Sequence, residues 1–155
     1  MVAGEALMFT KKEHLKVLAK NAVSRLEQDQ AIALNPRTRQ MVYQDLFLKL
    51  EALILTDEDI RSRVLTQLGE KAEQLEESGQ TESDQYKAAK ALLLEKLGEN
   101  AVAGLYYQRP VKVVAQEIAR FLMSHAQVEE VFPSDEELEQ TIVEFLKRFN
   151  PDLLH

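Results

Sequence analysis

Apolar residues recur every three or four positions in six segments of this chain, which is the spacing of helices with one buried face. The clearest is the third segment, where Ile60, Val64 and Leu68 follow one another in steps of four. The predicted helices cover residues 11–28, 36–55, 57–75, 86–97, 110–122 and 135–149. The pattern therefore predicts an all-α fold.

Residues that cap helices indicate where these segments begin and end. A Ser or Thr followed three positions later by an acidic residue is the pattern of a capping box, and proline is favoured at the first helical position. Gly98 is a natural C-terminal cap for the fourth helix. The predicted starts are Thr10 with Glu13, Asn35 with Pro36, Thr56 with the three carboxylates that follow it, and Ser134 with Glu137.

The first predicted helix is copied near the other end of the chain. Over twelve aligned positions, residues 15–26 and 111–122 share four identities, at Lys16/Lys112, Val17/Val113, Ala19/Ala115 and Leu26/Leu122. Each copy is followed by a short link, a proline and a second amphipathic segment. One explanation of this similarity is that the chain contains two related helix-loop-helix units, residues 11–55 and 110–149. The other is that any two core helices need apolar residues at the same spacing.

The segments between these helices carry weaker signals. Residues 57–98 predict an antiparallel helical hairpin at the centre of one domain that spans residues 10–149. Residues 99–109 contain Gly104 and little periodicity, which predicts an irregular crossover or a loose helical turn. The links at 31–34 and 127–132 occupy equivalent places and predict a small β-ribbon between the two units.

Composition limits the classes of function. The 155 residues hold no cysteine, which excludes disulfides and thiolate metal sites, and no apolar run is long enough to span a bilayer. The net charge of -7 is uneven: residues 1–49 hold eight Lys or Arg against five acids, and the remainder holds eleven against twenty-one. An acidic majority argues against general nucleic-acid binding. The chain is expected to be cytoplasmic, with no membrane contact.

The whole pattern from Thr10 to Phe149 resembles the bacterial domain-of-unknown-function family 507. The resemblance is carried by residues 12–15 through Leu26, by the run Leu53-Ile54-Leu55-Thr56-Asp57-Glu58-Asp59-Ile60, and by Phe132-Pro133-Ser134-Asp135-Glu136-Glu137-Leu138. It implies a small bacterial helical protein and carries no established catalytic or binding residues. The charged second link, with Glu129 and Glu130, departs from the uncharged first link.

Several patterns invite a catalytic interpretation, and each has a simpler explanation. Glu70, Glu73, Glu76 and Glu77 have the spacing of magnesium-binding carboxylates, but a solvated helix face accounts for them. The histidines His14, His125 and His155 show no metal-ligand spacing. His125 is expected to be an exposed residue in the last turn of its helix. No cofactor or metal is predicted.

Two groups of residues are candidates for an interaction surface. The first is basic and comprises Lys12, Lys16, Lys20 and Arg37; the second, on the crossover, comprises Tyr106, Tyr107 and Arg109, of residue types favoured in interfaces. One of the two tyrosine rings is expected to be exposed. A solvated basic face and packing of the tyrosines against the core are the ordinary explanations.

The sequence therefore predicts a non-enzymatic protein-interaction or structural module, with self-association as one form of partnership. The first alternative is a nucleic-acid-associated protein that uses Lys12, Lys16, Lys20 and Arg37. The second is a magnesium-dependent all-α nucleotide hydrolase that uses the Glu70–Glu77 cluster.

Overall fold

The computed structural model describes residues 9–69, 84–97 and 100–150. Within these ranges the chain is mainly helical, as predicted, with six helices and five short strands. No helix in the described ranges combines the length and apolar character needed to cross a bilayer. In chain order the elements are α1 (Lys12–Gln28), β1 (Ile32–Leu34), α2 (Arg39–Glu51), β2 (Ile54–Thr56), α3 (Asp57–Leu68), α4 (Asp84–Leu97), β3 (Ala101–Val102), β4 (Leu105–Tyr107), α5 (Val111–Ser124), β5 (Val128–Val131) and α6 (Asp135–Arg148).

The main core lies between two helix pairs, α1 with α2 and α5 with α6. Its fully buried side chains come from the predicted apolar faces, including Leu18 on α1, Leu46 on α2 and Ile118 on α5. Strands β1 and β5 join the two pairs as an antiparallel ribbon in which Ile32 lies opposite Val131. The predicted β-ribbon between the two links is therefore confirmed.

The central helices α3 and α4 form a second, smaller apolar cluster with each other. Ile60 and Val64 of α3 are buried against Tyr86 and Ala89 of α4, with Leu55 of β2 beside them. Packing between these two helices was predicted from their apolar faces. Helix α3 ends at Leu68, before the predicted end, because Gly69 has a φ of 57° that does not continue a helix. The remainder of the predicted third helix, residues 70–75, lies outside the described residues, as do the break at 78–81 and Gly98.

A three-stranded antiparallel sheet was not predicted, and it corrects two expectations. Its strand order is β2-β4-β3. The second helix ends at Glu51 and not near Leu55, because Ile54–Thr56 forms an edge strand. Residues 101–107 form a β-hairpin and not a loose helical turn: its two-residue loop, Ala103-Gly104, has positive φ at both positions, which suits a tight hairpin.

Two of the predicted capping boxes are confirmed and two predicted starts are wrong. Thr56 caps α3 through Asp59, and Ser134 caps α6 through Glu137. Thr10 does not cap α1; Lys11 occupies that position, and Thr10 is buried in contacts with other elements. The second helix begins at Arg39 and not at Pro36, because the side chain of Asn35 accepts a hydrogen bond from the backbone N–H of Arg37 and closes a turn first.

Candidate functional site

Lys12 and Lys16, two of the four predicted basic residues, contact side chains on other helices of the same chain. The Nζ atom of Lys12 lies 3.1 Å from Glu51 and 3.8 Å from Asp59, and its hydrogen bond to Glu51 is the main reason that its pKa is raised. The Nζ atom of Lys16 lies 5.4 Å from the ring centroid of Phe47, in a cation–π contact. Both charges are therefore engaged with α2 or α3.

All four predicted basic residues are exposed to solvent, but the other two have no such contact among the described residues. Lys20 lies on α1, and Arg37 lies in the turn that precedes α2. The structure thus divides the predicted basic group into a pair in contact with other helices and a pair without such contacts. Nearby cations are also paired: Arg25 with Asp29, and Arg39 with Glu27.

The predicted tyrosine group is placed by β4. Leu105 and Tyr107 point into the main core, and Tyr107 is fully buried, which raises the pKa of its phenol. Tyr106 points the other way and is half-buried against the second cluster, so neither ring is fully exposed and the expectation of one exposed ring is wrong. Arg109 is exposed just beyond the strand.

Tyr106 belongs to a dense polar junction that explains why Thr10 is buried. Its hydroxyl donates to Asp57 over 2.7 Å; burial and that hydrogen bond raise the pKa of Tyr106. The backbone N–H of Thr10 donates to the other oxygen of Asp57 over 3.0 Å, and the Thr10 hydroxyl donates to the carbonyl of Gly104 over 2.6 Å. The same hydroxyl accepts from the backbone N–H of Asp57 over 2.7 Å. These bonds tie the start of α1 to α3 and the hairpin.

Two polar pairs close the seam between α2 and α5. The Nζ atom of Lys49 lies 3.1 Å from Glu117, and that hydrogen bond lowers the pKa of Glu117. His125 Nε2 lies 2.7 Å from Asp45, and its Nδ1 accepts from the backbone N–H of Gln127. The His125 side chain is only 12% exposed, so the expectation of an exposed histidine is wrong. Its partner lies 80 residues away and leaves no signal in the local sequence.

A groove of about 520 Å³ lies between α1 and α6. The α1 wall consists of Asn21, Arg25 and Asp29, where Arg25 and Asp29 form an ion pair of 3.0 Å. The rings of Phe145 and Phe149 lie 6.1 Å apart on the other side. Thr141, Glu144, Arg148 and Asn150 complete that wall.

Glu144 and Arg148 give the groove two further charges. They are exposed and four residues apart on α6, yet in the described part of the chain neither forms an ion pair. The groove therefore combines an aromatic floor with cations and anions on its rim. Phe149 belongs to the main core with 8% exposure, and Phe145 packs against that core with part of its surface.

A second recess of about 520 Å³ lies beside the β-ribbon. It is shallow and lined by Ile32, Leu34 and Phe132, and Phe132 is 60% exposed. Its rim carries a single charged residue, Glu27, which already binds Arg39. This recess offers little polar chemistry to orient a ligand.

The candidates for catalysis and metal binding are placed as follows. Glu70, Glu73, Glu76 and Glu77 lie outside the described residues. Among residues 9–69, 84–97 and 100–150, no three acidic or histidine side chains come together in a way that could hold a metal ion.

Comparisons with protein-family models, curated proteins and solved structures found no match to this chain.

Proposed function

We propose that this chain is a non-enzymatic protein-interaction module, a bacterial helical protein of the domain-of-unknown-function family 507, and that its docking surface is the groove between α1 and α6. The observation that carries the proposal is the composition of that groove. Phe145 supplies partly exposed aromatic contact area, and Arg148 and Glu144 supply charges that have no ion-pair partner in the described residues. Aromatic and arginine side chains contribute most to protein interfaces.

We propose further that the chain is built from two related helix-loop-helix units. Nine of the ten buried positions on α1 and α2 recur 96 residues later as buried positions on α5 and α6, which supports this organisation. In the helices that carry the sequence repeat, the matched pairs are Leu18/Val114, Ala19/Ala115, Ala22/Ile118, Val23/Ala119 and Leu26/Leu122. In the helices that follow, they are Val42/Leu138, Leu46/Ile142, Phe47/Val143 and Leu50/Leu146.

The same offset relates the closed seam to the open groove. The seam between α2 and α5 has its counterpart between α6 and α1. The closing residues Asp45 and His125 correspond to Thr141 and Asp29, and Lys49 and Glu117 correspond to Phe145 and Asn21. Neither substituted pair can form an ion pair, which accounts for a groove at one seam and a closed contact at the other. We infer that the second seam is completed by a partner.

The nucleic-acid alternative has less support. Phosphate binding requires cations that are free to replace counterions. Lys12 is bound to Glu51 and Lys16 lies over Phe47, which leaves Lys20 and Arg37 as the two of the four proposed contacts without such a partner among the described residues. Two unengaged cations on a chain with a net charge of -7 are a weak electrostatic footprint for a nucleic acid.

A photo-cross-linking residue at Thr141, inside the groove, tests the docking surface in living cells. The matched control is the same residue at Gln140, which is exposed on α6 and turned about 100° away. We expect a defined protein adduct from position 141 that position 140 does not give. Equal adducts from both positions, or none from either, would contradict the proposed function.

A further inference from the structure

The groove between α1 and α6 has the charge pattern of a surface that matches itself. We propose that its occupant is a second copy of this chain, docked with α6 antiparallel to the α6 of the first copy; this inference rests on the proposed function of the groove. Two cations, Arg25 and Arg148, and two anions, Asp29 and Glu144, lie along it. A surface with balanced and alternating charge does not select for a strongly acidic or strongly basic partner.

The spacing of Glu144 and Arg148 suits two-fold symmetry. In an isologous dimer the same patch is used by both copies, so each contact between different residues occurs twice. If the symmetry axis passes near the level of Leu146, an antiparallel pair of α6 helices sets each Glu144 against the Arg148 of the second copy. Two charges that lie four residues apart and have no ion-pair partners among the described residues of one copy thus form two intermolecular ion pairs.

The aromatic floor lies at the level where two such helices meet. Phe145 is adjacent to Glu144 on α6 and packs against the main core with part of its surface. In the antiparallel arrangement the two copies of Phe145 approach the axis from opposite sides, and edge-to-face contacts between aromatic rings stabilise such meetings. The ion pair of Arg25 and Asp29 on α1 then forms the polar rim on each side.

The closed seam within one chain explains why a second copy is the fitting occupant. The α2–α5 seam is completed by charged pairs between helices of the same chain, Lys49 with Glu117 and Asp45 with His125. The α1–α6 seam retains the helices, but among the described residues no ion pair crosses it, because Arg25 and Asp29 pair with each other. Charges that complement Glu144 and Arg148 are present on the identical helix of another copy. A peptide of one charge sign satisfies only one of these two residues.

Charge-reversal variants of the full chain test this arrangement by sedimentation equilibrium. We expect the wild type to dimerise at about 0.15 M salt, where repulsion between two acidic molecules is screened beyond roughly 8 Å. Glu144→Arg and Arg148→Glu each place like charges across the axis, and each should raise the dimer dissociation constant by about a hundredfold or more. An equal mixture of the two variants restores opposite charges and should form a mixed dimer of near wild-type affinity.

Lys147→Glu is the matched control for Arg148→Glu. Lys147 is exposed on the same turn of α6 and does not line the groove, so its reversal should leave the dissociation constant within a fewfold of wild type. The neutral variants Glu144→Gln and Arg148→Gln, checked for folding by circular dichroism, give smaller losses and replace any reversal that fails to fold.

A wild type that stays monomeric at every concentration overturns the inference. So does a dimer that Glu144→Arg, Arg148→Glu and Lys147→Glu affect equally, or a mixture of the two reversed variants that stays monomeric. A monomer that still gives an adduct with a different protein from position 141 removes the second copy as occupant and leaves the docking function standing. If the wild type stays monomeric and position 141 gives no adduct, both proposals are wrong.

Discussion

Replacing Gly104 by alanine should lower the free energy of unfolding more than the same replacement at Gly69, the other glycine in the described residues. The residue has a φ of 82°, a conformation that costs an L residue about 1–2 kcal/mol. An added Cβ atom would also lie 2.9 Å from Thr10 Cγ2 and 3.0 Å from Asp57 Oδ2. Both neighbours belong to the hydrogen-bonded junction that joins α1, α3 and the hairpin, so neither can move without lengthening those bonds.

The cost of Gly104→Ala has a backbone contribution and a packing contribution, and Gly69→Ala is a control that carries only the first. Overpacking typically costs about 1–3 kcal/mol, so Gly104→Ala is expected to lose roughly 2–5 kcal/mol in all. Gly69 also has a positive φ, of 57°, but an added Cβ there would meet no atom within 4 Å. Gly69→Ala therefore shows only a backbone cost, of about 1–3 kcal/mol, because a φ of 57° with a ψ of -127° is a conformation that residues other than glycine rarely adopt.

Urea unfolding of both variants measures the difference in the free energy of unfolding, provided that the slope with denaturant is unchanged. The double variant Thr10→Ser with Gly104→Ala removes the methyl group that the new Cβ would meet, so part of the loss should be recovered as a non-additive term. If the double variant shows no non-additive term, the reasoning about the junction is refuted.

Further predictions concern the tyrosines and one acid. Tyr107→Phe removes a buried hydroxyl that has no hydrogen-bond partner, so urea unfolding should show unchanged stability or a gain of about 1 kcal/mol, and a clear loss would contradict this. Tyr106→Phe removes the hydrogen bond to Asp57 and should lose about 1–2 kcal/mol by the same assay. The pKa of Glu117 is lowered from its ordinary 4.5 by Lys49, so its contribution to stability is present above pH 4.5 and is lost as the pH falls through the lower folded value. In an NMR titration Lys49→Met should raise the pKa of Glu117 towards 4.5, and an unchanged value would show that the ion pair has no influence.

Features that depend on neighbouring residues could be read from the sequence. The capping boxes at Thr56 and Ser134 involve partners three positions away, and both are present. The same pattern at Thr10 is misleading because the hydroxyl finds better partners in Gly104 and Asp57, which lie 94 and 47 residues away. Local propensity gives way to tertiary contacts at that position.

Boundaries between helix and strand were harder to predict for a physical reason. Leu53, Ile54 and Leu55 form a short apolar run, and periodicity alone does not distinguish a buried strand from the last turn of a helix. The outcome depends on the partner strand, in which Tyr107 lies opposite Ile54. The ribbon of β1 and β5 was predicted because the two links occupy equivalent places in the proposed repeat.

The candidate site was only partly accessible from the sequence. Charge spacing identified Lys12 and Lys16 as one face of α1, but the residues that engage them, Glu51 and Phe47, lie on another helix. The groove needs α1 and α6 together, which are separated by most of the chain. A sequence pattern reports which side chains share a helix face and does not report which faces remain uncovered.

The arrangement of two α6 helices about one axis is tested most directly by a distance between copies. The chain has no cysteine, so Lys147→Cys provides a single attachment point for a spin label, exposed beside the groove and not within it. Packed helices lie about 8–10 Å apart, so the labels of two docked copies should give one narrow intermolecular distance, below roughly 40 Å with the label linkers included. Pulsed electron paramagnetic resonance should detect that distance, and Glu144→Arg in the labelled chain should abolish it. The absence of any intermolecular distance, or one that survives Glu144→Arg, would contradict the account.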